Sequence, residues 1–320
     1  NEAWPIQSTF AITTDRKKWV GGLTAGNGLT YFFPNLAPGY LVFDPETREI
    51  ETTGGRYQIR AGAYHAESGR IYSPQYGATH GTAGRLRYLD TGDHSTGFLP
   101  YAIDRSGPLY QERPNWREEN IRYSGIFDRY WGQIQHSNGK QYSIPFGADR
   151  LLIADPAAEI VTVGRETITG VAPIHSGPFD RKFYYDSPYL YKYNGAVESS
   201  VTGEIVSMPR HALGILVIDP ETDTPTEIPL PPDLVEGWEN KSKTFETFEG
   251  PDGRIYGVPW QMPFLIWFDP STREIGHLDL SEFLSNSGTT TNFFTAAVRV
   301  GNSVYLAPGA SNHFAKLDFS

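Results

Sequence analysis

The chain of 320 residues has no cysteine and only two methionines. The lack of cysteine excludes disulfide bridges, thiolate metal centres and cysteine nucleophiles. Long apolar runs are also missing, and none approaches the roughly 18 residues a membrane-spanning helix requires. Basic residues are in deficit, 27 against 37 acidic for a formal charge of -10, which argues against nucleic acid or an anionic membrane as a general partner. No signal-peptide pattern is present. Asn1 fits a mature N-terminus, and an extracellular or periplasmic setting is expected. Heptads and low-complexity tracts are absent, and helical patterning is confined to DLSEFLSN at 279–286. There is no nucleophile elbow, Walker loop, dinucleotide-binding glycine set or HExxH, so the sequence requires no cofactor and no metal.

What the chain does contain is 33 glycines, 24 prolines and 14% aromatic residues, arranged as a repeat. In GRIYGVPWQMPFLIWFDP (253–270) an aromatic stands fourth from the glycine, a proline seventh and an aspartate seventeenth. GLTYFFPNLAPGYLVFDP (28–45), GKQYSIPFGADRLLIADP (139–156), GEIVSMPRHALGILVIDP (203–220) and NSVYLAPGASNHFAKLD (302–318) share the frame without a gap. GRIYSPQYGATHGTAGRLRYLD (69–90) shares it with about five extra residues in its middle. The anchors Gly28, Gly69, Gly139, Gly203, Gly253 and Asn302 lie 41 to 70 residues apart.

Each copy reads as four strands. An apolar stretch precedes the anchor, an alternating strand leads to the proline, and a β-branched or aromatic run ends at the aspartate. A fourth strand leaves the Asp-Pro turn, as in REIETT, AEIVTV and REIGHL. Six such units predict an all-β protein, a β-propeller of six four-stranded blades forming one domain over 1–320, with a seventh blade left open. The last copy ends before its fourth strand, and AWPIQSTF (3–10) is expected to supply that strand and close the ring. The aspartates Asp44, Asp155, Asp219, Asp269 and Asp318 recur at one turn position, which assigns them to turns rather than to a metal.

Strand alternation also sorts the loops. With strands A to D numbered from the axis outward, B–C loops and D–A connections emerge on one face, A–B and C–D turns on the other. The insertions 98–125 and 166–191 are D–A connections and are expected on the B–C face, which holds Asn35, Tyr76, Thr79, His80, Phe146, Asp149, Arg150, Arg210, His211, Trp260, Gln261, Asn312 and His313. Rings for stacking and planar cations for carboxylates are what an acidic sugar chain requires. His80, His211 and Arg210 are the candidate catalytic residues. Tyr76, Arg150, Trp260, Gln261 and His313 are candidate ligand contacts, joined by Tyr110, Arg113, Trp116, Tyr184 and Tyr185 from the insertions. His65 and His136, on inner strands, are expected to be structural.

The G-x-I-Y-G-x-P unit followed by D-P-x-T resembles the repeats of kelch-like and related bacterial β-propellers. Unlike kelch, it lacks a double glycine in every blade; Gly21-Gly22 is the single inner-strand pair. The D-P-x-T-x-E-I segment is similar to repeats in virginiamycin B lyase and SMP-30-type propellers. Propeller-shaped polysaccharide lyases such as ulvan lyases pair His or Tyr with Arg beside a uronate carboxylate. That analogy of fold implies a carbohydrate-binding propeller that acts as a lyase on uronate-containing polysaccharide; the alternative is a non-catalytic propeller that docks a protein partner or joins a surface assembly.

Overall fold

The computed structural model describes residues 19–35, 37–55, 59–74, 86–99, 130–148, 150–164, 166, 168–170, 191–239, 241–285 and 288–319. Six antiparallel sheets follow one another along the chain as the blades of a six-bladed β-propeller. Blade one comprises β1 (Trp19–Thr24), β2 (Thr30–Pro34), β3 (Tyr40–Phe43) and β4 (Ile50–Thr53), and blade two β5 (Ala63–His65), β6 (Arg70–Pro74), β7 (Leu86–Asp90) and β8 (Thr96–Phe98). Blade three comprises β9 (Tyr130–Gln135), β10 (Gln141–Pro145), β11 (Leu152–Asp155) and β12 (Ile160–Val163). Blade four comprises β13 (Val197–Glu198), β14 (Ile205–Ser207), β15 (Gly214–Asp219) and β16 (Thr224–Pro229). Blade five comprises β17 (Thr244–Glu249), β18 (Ile255–Pro259), β19 (Phe264–Phe268) and β20 (Ile275–Asp279). Blade six has three strands among the described residues, β21 (Phe294–Val300), β22 (Ser303–Pro308) and β23 (Ala315–Asp318). The expected closing strand at 3–10 lies outside the described residues. A short helix, α1 (Ser281–Leu284), falls within the segment that the sequence marks as helical. Among the described residues no helix is long and apolar enough to cross a membrane.

The local rules of the repeat are visible in the backbone. Gly28, Gly69, Gly139, Gly203 and Gly253 close the A–B turns with φ between 65 and 89°, a left-handed conformation that a Cβ would strain. In blade six Gly301, one residue before Asn302, takes that role at φ 60°. At the C–D turns Asp44 Oδ1 accepts the backbone N–H of Glu46 at 2.8 Å and of Thr47 at 3.2 Å. Asp269 does the same for Ser271 and Thr272, and Asp219 accepts from Glu221 and Thr222. The N–H of Glu46 and that of Glu221 hold the carboxyls of Asp44 and Asp219 below the usual carboxylate range. These contacts are the turn role expected of Asp44, Asp219 and Asp269, and Asp155 accepts Ala158 N–H at 3.0 Å in the same way, whereas Asp318 accepts the Ser303 hydroxyl at 2.6 Å and pairs with Lys316 at 2.7 Å.

Among the described residues the core forms five apolar layers, each between two consecutive blades. This explains why the third strand of a blade reads as a continuous apolar run. In β15, Leu216 and Ile218 pack toward blade three with Tyr142 and Ile153, while Ile215 and Val217 pack toward blade five with Ile255 and Phe268. Both faces of the strand are buried, so no alternation with polar residues is possible. Each fully buried side chain of this kind contributes about 1.5–3 kcal/mol. Near the axis the blades crowd. A Cβ on Gly132 would lie 2.9 Å from the Cα of Gly195 in the next blade.

Candidate functional site on the loop face

The two faces of the propeller are held together by different chemistry. On the face of the A–B and C–D turns, side chains staple consecutive blades from one to five. Asn27 donates to Thr91 O at 3.0 Å, joining blades one and two. Arg70 donates to Glu159 at 3.1 Å, joining two and three. Tyr142 and Lys140 both donate to Asp223, at 2.7 and 2.6 Å, joining three and four. Arg273 pairs with Glu204 at 2.5 Å, joining four and five. The two inner-strand histidines also bond there, His65 to Ser68 and His136 to Gly203 O at 2.8 Å.

On the loop face a backbone relay carries much of this task, beside side-chain bonds such as that of the Thr244 hydroxyl to Pro209 O at 2.8 Å. Lys192 N–H donates to Phe146 O, Arg210 N–H to Lys192 O, and Lys243 N–H to Arg210 O, at 2.8, 2.8 and 2.6 Å. Trp260 N–H then donates to Lys243 O, Phe293 N–H to Trp260 O, and Gly309 N–H to Phe293 O, at 3.0, 2.9 and 2.8 Å. This relay runs along the rim from blade three to blade six. It fixes the residue that follows each motif proline, namely Phe146, Arg210 and Trp260, without using its side chain.

Those side chains meet others that head the inner strands. The Arg210 guanidinium carbon lies 5.3, 5.4 and 5.2 Å from the ring centroids of Trp131, Phe146 and Phe245. Arg60 covers Trp131 at 4.6 Å. Phe245 packs on Trp260 with centroids 4.6 Å apart, and Phe146 on Tyr191 at the same separation. Tyr191 stands edge-on to His211 at 5.7 Å, and His211 Nε2 is hydrogen-bonded to Ser242 Oγ. Ser242 N–H donates to Gln261 Oε1 at 2.8 Å. Guanidinium, imidazole, phenol and aromatic faces therefore share one rim.

Two ionisable groups beneath the rim are shaped by burial. Burial raises the Glu246 carboxyl, and one of its oxygens accepts Ala297 N–H at 3.2 Å. Burial pushes the fully buried Lys243 ammonium down to about 8, while it donates to Trp238 O at 3.2 Å.

The structure brings together Arg210, His211, Trp260 and Gln261 of the sequence-derived candidates. Arg150 instead donates to Gly164 O at 3.3 Å within its own blade. The His313 backbone N–H donates to Ser311 Oγ at 2.9 Å and its ring packs on Phe283 at 5.6 Å, in a turn at blade six. His80, Tyr76, Tyr110, Arg113, Trp116, Tyr184 and Tyr185 lie outside the described residues. The stems of both insertions are on the loop face: Leu99 N–H donates to Leu86 O at 3.0 Å, and Tyr130 pairs with Pro145. For 166–191, Glu227 clamps the stems by accepting Thr169 N–H, Gly170 N–H and Tyr193 Oη at 2.9, 2.6 and 2.9 Å. The sequence reading missed Arg60, Trp131, Ser242 and Phe245. Trp131 and Phe245 each stand eight residues before their anchor glycine, a coincidence of position that could have found them.

The fold is that of β-propeller proteins, and comparison with solved structures agrees. A streptogramin B lyase matches with a TM-score of 0.58 at 13% identity, over 95% of this chain and 84% of that one. The virginiamycin B lyase of Staphylococcus aureus, solved with quinupristin, matches with a TM-score of 0.64 at 10% identity, over 96% and 83%. An extracellular domain assigned to a one-component system of B. thetaiotaomicron matches with a TM-score of 0.60 at 12% identity, over 96% of this chain and 36% of that one. At such identities the likeness is one of fold. No family model matches the chain, and no curated protein does.

Proposed function

We propose that the loop-face rim binds a carboxylate-bearing saccharide outside the cytoplasm, and that the chain acts on it as a lyase. The observation that carries this reading is the gathering of a guanidinium, an imidazole, a phenol and an indole, those of Arg210, His211, Tyr191 and Trp260, on one rim of the loop face. The Arg210 guanidinium would neutralise the uronate carboxylate and so acidify the neighbouring C–H. His211 or Tyr191 would take that proton. The C–H electron pair becomes the new carbon–carbon double bond, the glycosidic C–O bond at the β carbon breaks, and the leaving oxygen is protonated. Two of the similar structures are lyases by name, which supports elimination as chemistry this fold accommodates without lending any residue.

The test is a panel of acidic polysaccharides followed by the ultraviolet absorbance of unsaturated product. Arg210→Ala is expected to weaken both binding and turnover, and His211→Ala mainly turnover. No product from any member of the panel would remove the lyase assignment. A binding-only role is the second reading, favoured by the likeness to extracellular domains of signalling systems. It is the outcome if calorimetry shows binding while absorbance stays flat.

A further inference from the structure

We infer that, whatever the rim binds, the connection between blades four and five is a proton-operated flap: residues 231–239 lie closed over the Lys243 side chain while its amine is neutral, and open when that amine takes up a proton. The observation is a lysine with none of its surface exposed. Its ammonium donates to Trp238 O at 3.2 Å, a neutral acceptor that it shares with Lys241 N–H at 3.1 Å. Among the described residues no carboxylate is bonded to it; Glu239 acts on it by charge alone, while Glu239 Oε1 accepts Gly237 N–H at 3.2 Å. A buried ammonium held by one carbonyl is costly, and water relieves the cost.

The segment above Lys243 can open without disturbing either blade, because its hydrogen bonds are local. Leu234 N–H donates to Pro231 O, Glu236 N–H to Pro232 O and Trp238 N–H to Val235 O, at 3.0, 2.8 and 2.8 Å, and Gly237 turns the chain at φ 80°. What holds it down is apolar: Leu234 enters the layer between blades four and five, and Trp238 stands edge-on to Phe264 at 5.9 Å. The charged groups on the surrounding elements are Glu236, Glu239 and Lys241 of the connection, Arg210 and His211 of blade four, and the Asp233–His277 pair at 3.9 Å beyond Phe264. Burial lowers the amine from 10.5 to about 8 in the closed form. The closed form therefore binds the proton less well than the open one, so opening grows as pH falls toward 8 and levels off below it. The flap is tied to the rim, since Lys243 N–H donates to Arg210 O, Lys243 O accepts Trp260 N–H, and the hydroxyl of Ser242 is bonded to His211.

The test is amide hydrogen exchange of the intact chain at about pH 7.5 and about pH 9.5, corrected for intrinsic rates and read at Leu234, Glu236 and Trp238. In the wild type their protection is expected to be about twenty-fold higher at the upper pH. These amides should exchange faster than those of β15 at both values, which marks the opening as local. Lys243→Met, which has no charge to bury, should be well protected at both values. Lys243→Arg, charged throughout, should be poorly protected at both, and it serves if the methionine variant misfolds. Equal wild-type protection at the two values overturns the flap. So does protection equal to that of β15, which would mean that these amides exchange through unfolding of the whole ring. A folded Lys243→Met or Lys243→Arg protein that keeps the wild-type pH dependence also overturns it, since another group would then carry the proton.

Discussion

The turn face and the loop face solve the same problem with different proportions of side chain and main chain. At the turn face charged and phenolic side chains bridge the blades, as Tyr142 and Lys140 do at Asp223. Those side chains are consumed in holding the ring. At the loop face main-chain N–H and carbonyl groups make a relay of bridges from Phe146 round to Gly309, and side chains at the same positions stack on one another across blades. The lesson is that a binding face can be recognised by which atoms hold it together. Where the main chain shares that work, cationic and aromatic side chains such as Arg210 and Trp260 gather into one rim.

This contrast can be broken or sharpened by substitution. The largest effect is expected where the loop face carries a misfit. Lys243 is fully buried with its ammonium held down to about 8, so the folded state binds that proton less well than the unfolded chain does. Its contribution is least favourable below pH 8 and improves as pH rises from about 8 toward the ordinary lysine range. Lys243→Met should raise stability by about 3 kcal/mol at neutral pH, with the gain shrinking toward pH 10. Chemical denaturation at a series of pH values measures it, and a pH-independent difference would show that desolvation of the charge is not the cause.

Next comes the turn face. Asp223→Ala removes the acceptor of both Tyr142 and Lys140 and places alanine at a φ of 58°. Stability should fall by about 2–3 kcal/mol, with saccharide binding retained. Loss of binding in a folded Asp223→Ala protein would dissolve the separation between the faces.

Arg210→Ala is the complementary change. Its main cost should be ligand affinity, about ten-fold or more, with a thermal shift smaller than that of Asp223→Ala because the backbone N–H and carbonyl of residue 210 keep their rim bonds. A melting-temperature loss larger than that of Asp223→Ala would show Arg210 to be chiefly a structural cation.

The smallest effect is expected at the exposed turn carboxylates. Asp44 is held below its usual range, so its stabilising contribution is present above the unfolded carboxylate value, near 4, and is lost as pH falls through the folded one. Asp44→Ala should therefore be slightly less stable than the wild type at neutral pH and indistinguishable from it in strong acid, as read by parallel thermal melts.

Much of the fold was legible because the rules that make a blade are local. An aspartate that caps its own turn, a glycine at left-handed φ and an apolar run of five residues act within a few positions of one another, and repetition made them unmistakable in the sequence. The candidate site was legible in part for the same reason. Phe146, Arg210 and Trp260 follow the motif proline, so their place on one rim follows from register. Arg60, Trp131 and Phe245 lie outside that motif, on the connections and first positions of inner strands, where no turn chemistry marks them.

By itself the sequence determined the repeat and the face on which the loops emerge, since each depends on hydrogen-bonding and steric preferences that span a handful of residues, while the choice of six blades over seven came from the structure. Only the tertiary structure decided which side chains meet. Arg60, Trp131 and Arg210 come from three blades, and they touch because the blades curve about a common axis and the crowding at Gly132 draws the inner strands together. The same curvature partly buried Glu246 and fully buried Lys243, shifting their proton affinities. Burial and stacking across blades are set by the packing of the whole ring, and no local pattern in the chain encodes them.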